Sequence, residues 1–421
     1  MVILGLRHAP GRHRFLVLAL TGVLSLLAAT PAATSPSTTD TAVSESSSAA
    51  LAATASRSVA PTATGTPLRE GTGLYPRVIR LAHNGVANGR VLASAVTFDG
   101  NNGIGAIHES TDSGATFHEV GRIADPDSAG GQGLCCSTLF ELPQQVGALR
   151  AGTLLWASSA GQDEPDRRMA LRIWRSNDVG RTWSYLSSCA VASGTAGLWE
   201  PEFSVAADGA LVCHYSDETD PVHSQKIVAT RTYDGVHWQG RHDTVASSWA
   251  PDRPGMPVVR RLPNGTYFMS YEICNPGGQY QCAVHYRTSA DGWNWGDPTD
   301  LGVRPETADG RYFRATPTIA WAPTPGGEGN GRILLIGQRL LNRDGSLAAG
   351  SGRTILTNSR NGKGAWVAID APVTVPNPEV NYCQNYSSPL LPSTDGKRVL
   401  QIATDFEGSV CRAYYGTGKL P

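Results

Sequence analysis

Two glutamates in the middle of the chain stand where they could act together chemically. Glu200 comes at the predicted start of one short strand, and Glu272 comes at the predicted end of another. A pair of carboxyl groups in one pocket can hydrolyse a glycosidic bond, because one attacks or activates water while the other protonates the leaving oxygen. The alternative is that each glutamate only pairs with a nearby arginine such as Arg253 or Arg314.

A two-residue turn followed by a short apolar strand occurs six times, with a period of about sixty residues. The copies are centred on Asn88-Gly89, Ala151-Gly152, Asp208-Gly209, Asn264-Gly265, Asn330-Gly331 and Asp395-Gly396. We interpret them as hairpins whose two central residues both have positive φ. Six hairpin-centred units predict an all-β fold, a six-bladed β-propeller.

A second repeat, Ser/Thr-x-Asp-x-Gly-x-Thr-aromatic, runs in phase with the first. Full copies span 110–117 and 176–183, shortened copies span 232–238 and 289–295, and a degenerate copy spans 357–366. An aspartate here can accept backbone N–H bonds across a tight turn while the aromatic ring packs on the blade edge. We therefore interpret these aspartates as structural. The repeats resemble the Asp boxes, or BNR repeats, of sialidase-like propellers.

Propeller topology sorts the remaining residues by face. If both repeated turns lie on one face, the opposite face is built from residues just before each innermost strand and just after each second strand. We expect the substrate-binding residues there: Arg77, Trp199, Asp252, Arg253, Tyr271, Tyr312, Arg314 and Tyr386. Tyr382 or Tyr386 could hydrogen-bond a carboxylate nucleophile. Glu202 is a weaker catalytic candidate than Glu200, because it lies further along the strand from this face.

The N-terminal region predicts export from the cell. Arginines, a short apolar run and then small residues predict a secretory signal peptide over 1–32, the alternative being an uncleaved membrane anchor. Residues 33–70 are Ser, Thr, Ala and Pro with few large apolar side chains, which predicts a disordered linker. The propeller is then expected over 71–421, with the outer strand of its last blade supplied by residues near 71–75.

The eight cysteines favour disulfides, because they are even in number in a chain predicted to be secreted. We expect bonds between Cys274 and Cys282 and between Cys383 and Cys411, and we leave the adjacent pair Cys135-Cys136 open. There is no Cys-x-x-Cys pair, so we expect no metal site, and we expect no cofactor.

The charge pattern argues against several classes of partner. The net charge of −1 and the scattered basic residues predict no binding to nucleic acid or to a membrane surface. We expect a monomer that acts on an oligo- or polysaccharide.

The chain resembles glycoside hydrolase family 93. The resemblance rests on Trp199-Glu200-Pro201, on Tyr271-Glu272 and on the phased Asp boxes, and it covers residues 71–421. It implies a six-bladed exo-α-1,5-L-arabinanase that releases arabinobiose with retention. It also implies that Glu200 and Glu272 are the catalytic pair, assisted by the Tyr382 hydroxyl. We expect Glu200 to be the nucleophile and Glu272 the acid/base, although nothing in the sequence separates these roles.

Two other functions stay open. An exo-sialidase would hold a carboxylate with three arginines, for which Arg77, Arg253 and Arg314 are available, but the Arg-Ile-Pro motif of sialidases is absent. A non-catalytic glycan-binding propeller would have no need of two inward glutamates. For the furanosidase we expect Trp199 and Tyr312 to stack on sugar faces.

Overall fold

The computed structural model describes residues 63–275, 278–326 and 331–421. The predicted signal peptide and the predicted linker up to residue 62 lie outside the described residues. The strands in chain order are β1 (Thr66–Pro67), β2 (Leu74–Arg80), β3 (Val91–Asp99), β4 (Asn102–Ser110), β5 (His118–Ala124), β6 (Leu134–Glu141), β7 (Leu154–Ala160), β8 (Ala170–Ser176), β9 (Ser184–Val191), β10 (Leu198–Val205), β11 (Leu211–Asp217), β12 (Lys226–Thr232), β13 (Gln239–Val245), β14 (Arg253–Arg261), β15 (Tyr267–Cys274), β16 (Ala283–Ser289), β17 (Tyr312–Arg314), β18 (Thr318–Ala322), β19 (Arg332–Ile336), β20 (Arg339–Leu341), β21 (Thr354–Asn358), β22 (Val367–Asp370), β23 (Leu390–Pro392), β24 (Arg398–Glu407) and β25 (Val410–Lys419). Two short 3₁₀ helices span Gly85–Ala87 and Pro126–Gly131.

These strands form six antiparallel sheets arranged as the blades of a propeller, as predicted. Blade 1 is β2 to β5, blade 2 is β6 to β9, and blade 3 is β10 to β13. Blade 4 is β14 to β17 with β20 added, blade 5 is β18, β19, β21 and β22, and blade 6 is β23, β24, β25 and β1. The innermost strands β2, β6, β10, β14, β18 and β23 contact one another in that order, and β23 returns to β2.

The predicted hairpins are present, but the predicted turn type is wrong. Each of the six glycines lies between the innermost and second strands of a blade, with φ from +62° to +90°. In the five turns whose preceding residue is described, that residue does not share this conformation: Asn88, for example, has φ −56°. In blade 3 the Gly209 N–H donates to the Ala206 carbonyl, as in a type I turn followed by one left-handed residue. Only the glycine therefore needs positive φ.

The aspartates of the second repeat lie in the turns between the third and fourth strands. Asp112, Asp178, Asp234 and Asp291 accept backbone N–H bonds across these turns at 2.7 to 3.0 Å. In the degenerate fifth copy, the side chain of Asn358 accepts the equivalent N–H bonds. These carboxylates satisfy turn donors, which agrees with a structural role and leaves them outside any catalytic pair.

The ring is closed by chain that precedes the predicted propeller boundary. Strand β1 pairs with β25 through Thr66 opposite Tyr415 and Pro67 opposite Tyr414. The outer strand of blade 6 is thus Thr66–Pro67, where we expected residues near 71–75. Those residues instead lead into β2, although the Gly73 N–H also bonds to the Cys411 carbonyl. The earlier strand was missed because the linker-like composition around it hides a two-residue strand.

Leu68 anchors this closing segment. Its side chain is buried among residues of blades 1 and 6. We expect Leu68→Ala to lower the free energy of unfolding by about 2–5 kcal/mol, because it leaves a cavity where the first and last blades meet. Chemical denaturation measures this, with Val86→Ala at a fully exposed site as the control. Equal stability of the two variants would show that the segment before residue 71 does not hold the ring closed.

The cysteines form four disulfides. The expected bonds Cys274–Cys282 and Cys383–Cys411 are confirmed. The other two join Cys189 to Cys213 and Cys135 to its neighbour Cys136. Among the described residues, none of the helices has the length and apolar character needed to span a bilayer.

Candidate active site

At the start of the innermost strands, an irregular backbone conformation changes the direction of one side chain in each blade. In blades 1 to 4 the pairing register shifts there, as it does at a β-bulge. Each shift contains a non-glycine residue with positive φ, and blades 5 and 6 have one just before the innermost strand. These residues are Tyr75, Cys136, Glu200, Met256, Thr316 and Ser387. Side chains from blades 1, 2, 3, 4 and 6 meet in one cluster there, which marks the mouth of the axis.

Glu200 is the re-aimed residue of blade 3, and its carboxylate is held by two donors. The Ser216 hydroxyl donates to Glu200 Oε2 at 2.5 Å, and the Met256 N–H donates to the same oxygen at 3.1 Å. Burial raises the pKa of the Glu200 carboxyl, while the bonds from Ser216 and Met256 lower it. A carboxylate with two donors on one oxygen keeps its other oxygen for a substrate.

Glu272 reaches the same mouth from the second strand of blade 4. Glu272 pairs with Gly255 in the β14–β15 ladder, and Gly255 directly precedes Met256. The Thr316 N–H donates to Glu272 Oε2 at 2.6 Å. Burial raises the pKa of the Glu272 carboxyl to about 8, with a further rise from the charge of Glu200, against the effect of the Thr316 bond.

The two glutamates are held in the same way. Each accepts the N–H of the positive-φ residue of the next blade, Met256 for Glu200 and Thr316 for Glu272. A bulge frees such an N–H from the strand ladder, so it can serve a side chain. Glu200 has the Ser216 hydroxyl in addition, which favours its ionised form over that of Glu272. The site therefore contains one carboxyl suited to stay charged and one suited to carry a proton.

Tyr386 lies near the two glutamates, whereas Tyr382, the tyrosine expected to assist them, lies at the surface. Tyr382 is 63% exposed and packs edge-on against Phe406. Tyr386 is half-buried beside Tyr75, with ring centroids 6.0 Å apart. Burial raises the pKa of the Tyr386 hydroxyl, and the negative charges of the two glutamates raise it further. Of the two tyrosines, Tyr386 is the nearer in sequence to the innermost strand of blade 6, which begins at Leu390.

Two other aromatic predictions fail for reasons of strand geometry. Tyr271 is fully buried between blades, and its hydroxyl donates to the Leu301 carbonyl, because it points away from the face that Glu272 occupies. Tyr312 belongs to β17 in blade 4, whereas the innermost strand of blade 5 begins at Thr318. Its ring is covered by the Arg304 guanidinium at 4.2 Å. Neither ring is placed to stack on a sugar in the mouth.

Of the three arginines, two are committed to protein partners. Arg77 is buried over the Tyr75 ring at 4.2 Å and donates to the Ser387 hydroxyl at 3.0 Å. Arg253 donates to Glu218 and to Gln225. Arg314 lies near Glu272, and its positive charge opposes the rise in the pKa of that carboxyl. The arrangement does not present three free guanidinium groups to one ligand.

The three remaining candidates from the sequence, Trp199, Asp252 and Glu202, lie in different surroundings. Trp199 is half-buried at the mouth, in the same cluster as Tyr386. Asp252 is buried and accepts the Ser247 hydroxyl at 2.7 Å, so it supports its own loop. Glu202 is buried, pairs with Arg260 and lines a cavity of about 610 Å³ toward the hairpin turns. Glu202 is therefore on the side of the hairpin turns, and the Asp252 carboxylate is occupied by donors of the protein.

One grouping superficially resembles a metal site. Glu272, Cys274 and Cys282 place ligand-type atoms within 4.8 Å of one another. The two sulfurs are bonded to each other, however, and a metal binds the free thiolate. The Cys274 sulfur lies 3.3 Å from Glu272 Oε1, so the bond fixes the loop beside the carboxylate.

Sequence reasoning missed the groups that hold the glutamates, namely Ser216, the Met256 N–H and the Thr316 N–H. A signal for the re-aimed residues does exist in the sequence. Four of them directly precede a proline at the start of an innermost strand: Tyr75-Pro76, Glu200-Pro201, Met256-Pro257 and Thr316-Pro317. A residue before proline is pushed out of the right-handed helical conformation, which suits a bulge.

No family model matches the sequence, and no curated protein matches it. Solved structures do match. An α-L-arabinanase of Penicillium chrysogenum, solved with arabinobiose, is 27% identical with a TM-score of 0.67, covering 85% of this chain and 99% of its own. The family 93 α-L-arabinofuranosidase of Fusarium graminearum with arabinobiose is 24% identical with a TM-score of 0.68, covering 85% and 97%.

A microbial sialidase shares the fold alone, at 14% identity and a TM-score of 0.53 over 85% of this chain and 68% of its own. The arabinanase of Penicillium chrysogenum matches this chain at higher identity and over nearly its whole length. This chain is therefore a glycoside hydrolase similar to the arabinanases and arabinofuranosidases of family 93.

Proposed function

We propose that this protein is a secreted, exo-acting and retaining glycoside hydrolase that releases arabinobiose from α-1,5-L-arabinan. The observation that carries the proposal is the pair Glu200 and Glu272, each held by the N–H of the next blade at the axial mouth. The arabinobiose complex of the Penicillium enzyme supports the choice of sugar, because that enzyme matches nearly its whole length to this chain.

The roles of the two carboxyls follow from their surroundings. Glu200, stabilised as an anion by Ser216 and Met256, attacks the anomeric carbon of the arabinose unit. Glu272 gives its proton to the glycosidic oxygen as that bond breaks, so the leaving sugar departs with a hydroxyl. Glu272 then takes a proton from water, whose oxygen displaces Glu200 and restores both groups. Two displacements at one carbon give net retention.

The exo mode and the location of the enzyme are also part of the proposal. We expect a site at the axis of six blades to be a pocket and not an open groove, which suits a chain end better than the middle of a polymer. Four disulfides fit an oxidising compartment outside the cell. We propose that residues 1–32 are the signal peptide, that the segment from residue 33 is a linker to the propeller, and that the enzyme acts as a monomer.

Incubation with debranched arabinan and, separately, with sialyl-lactose tests the substrate. We expect arabinobiose as the first product from arabinan, without longer oligosaccharides, and no release of sialic acid. Nuclear magnetic resonance of the fresh product reads its anomeric configuration, and retention is expected. Sialic acid release with arabinan untouched would replace the proposal by the sialidase alternative, and binding without any cleavage would favour a glycan-binding propeller.

The pH profile of kcat/KM should be set by the same two groups. The pKa of Glu272 is raised to about 8, so the acid stays protonated until the pH approaches that value. The pKa of Glu200 is raised from its ordinary value. The fall in kcat/KM on the acid side should therefore come at a higher pH than the pKa of an exposed glutamate would give. We expect activity to fall on the alkaline side near pH 8. Initial rates across the pH range measure both limbs.

The pH dependence of the protein's stability also depends on the pKa of Glu272. A carboxyl with a raised pKa binds its proton more tightly in the folded state, so its stabilising effect is complete below the ordinary value of 4.5 and lost as the pH rises to about 8. Glu272→Gln removes that dependence. The variant should therefore gain Tm relative to the parent protein above this window but not below it. An identical Tm difference on both sides would contradict a raised pKa.

A further inference from the structure

The disulfide between Cys135 and Cys136 lies in the mouth of the axis. Cys136 is the positive-φ residue of blade 2, at the position that Glu200 occupies in blade 3. Cys135 is half-buried, while Cys136 is 3% exposed beneath it. Both cysteines therefore belong to the cluster at the mouth, and Cys135 is the more exposed of the two.

The fold provides the conformation that this bond needs. In a regular strand, neighbouring side chains point to opposite faces, so two adjacent cysteines could not meet. The register shift between Cys135 and Thr138, with φ +60° at Cys136, interrupts this alternation where the two sulfurs are bonded. The same kind of shift aims Glu200 at the axis in the next blade, so the disulfide and the carboxylate face one space.

The surroundings of the disulfide are apolar. It packs in one cluster with Tyr75, Met256, Trp199 and Tyr386, which come from four other blades. A disulfide carries no charge and demands no hydrogen bond, and its sulfurs are polarisable. Sugars present C–H groups that pack on apolar and aromatic surfaces, while their hydroxyls need polar partners. The apolar cluster around the disulfide is suited to pack on the C–H groups.

We propose that the Cys135–Cys136 disulfide is a substrate-binding wall of the pocket, against which the C–H face of an arabinofuranose unit packs beside Glu200. The proposal rests on the proposed function. The disulfide makes contact with the sugar and takes no part in bond breaking. It should therefore contribute to binding of the sugar and leave the chemical step largely unchanged.

The double variant Cys135→Ser/Cys136→Ser tests this on the whole protein. We expect KM for debranched arabinan and Kd for arabinobiose to rise about tenfold, because an apolar contact is lost to polar side chains. The value of kcat should change by less than about threefold, well below the effect of losing a catalytic group. The matched control is Cys189→Ser/Cys213→Ser, which removes a buried bond between blades 2 and 3. The control should lose Tm and keep KM.

A measurement on the unmodified protein keeps the test independent of folding. Reduction with a water-soluble phosphine, then alkylation and mass mapping, gives the rate at which Cys135 becomes free. Saturating arabinobiose should slow this rate by at least about tenfold, as expected for a covered group, and leave Cys383 and Cys411 unaffected.

The outcomes separate the two proposals. An unmodified protein that leaves arabinan intact and does not bind arabinobiose overturns the proposed function. An active protein whose double variant loses kcat at constant KM, or whose Cys135 is not protected by arabinobiose, overturns the disulfide proposal and leaves the function standing.

Discussion

Glu272→Ala should lower kcat by about two to four orders of magnitude, and Glu200→Ala by at least as much, while arabinobiose still binds. Removing the acid leaves a poor leaving group unprotonated, and removing the nucleophile leaves the anomeric carbon without its attacking oxygen. Calorimetry with arabinobiose confirms that each variant still folds and binds. Rates on arabinan and on an arabinoside with an activated leaving group measure the loss.

Rescue of the two variants by azide distinguishes the nucleophile from the acid/base. In Glu272→Ala the covalent sugar on Glu200 can be displaced by azide, which gives a glycosyl azide of retained configuration. In Glu200→Ala azide attacks the substrate directly and gives the inverted product. Exchanged configurations would reverse the assignment of nucleophile and acid.

Glu202→Gln is the matched comparison, since Glu202 stands two residues along the same strand and is paired with Arg260. Because the Arg260 side chain is partly exposed, breaking this pair should cost only about 1–3 kcal/mol of stability and leave kcat within about tenfold. Near-normal turnover in both Glu200→Ala and Glu272→Ala, with loss in Glu202→Gln, would move the chemistry to Glu202.

The fold was predictable where local turn chemistry decides it. Each hairpin requires a glycine with positive φ, so residues such as Gly89 and Gly209 marked all six blades in the sequence. The closing strand Thr66–Pro67 was not predictable, because its pairing with β25 connects the two ends of the propeller and its composition is that of a linker. Strands β17 and β20 were not predictable either, because each is only three residues long.

The two carboxylates of the candidate site were predictable from the sequence, but the groups that hydrogen-bond to them were not. Topology alone brought Glu200 and Glu272 to one face, because it depends on strand order. The Met256 N–H is available because a bulge removes it from the ladder, and the Thr316 N–H is available because Thr316 precedes β18. The hydrophobic periodicity of the sequence shows neither feature. Likewise, the choice between Tyr382 and Tyr386 depends on where a three-residue strand begins.

Tyr386→Phe should lower kcat by about ten- to a hundredfold with little change in KM, whereas Tyr382→Phe should change kcat by less than about twofold. Tyr386 lies close enough to both glutamates for their charges to raise the pKa of its hydroxyl, which therefore stays a donor across the working pH range. We expect it to donate to the Glu200 oxygen that Ser216 and Met256 leave free. A hydrogen bond to a charged group contributes about 1.5–3 kcal/mol, and that bond matters most when Glu200 leaves the sugar as an anion.

The exposed Tyr382 is a matched control for this prediction, because it stands four residues away on the same segment and its ring packs edge-on against Phe406. Single-turnover kinetics on an activated arabinoside separate the two steps of the reaction. The Tyr386→Phe variant should be slowed in the second step, the release of the covalent sugar, because the departing Glu200 carboxylate then lacks its third donor. A larger loss in Tyr382→Phe than in Tyr386→Phe would return the role to Tyr382. Equal rates for the parent and both variants would mean that the pocket stabilises Glu200 through Ser216 and the Met256 N–H alone.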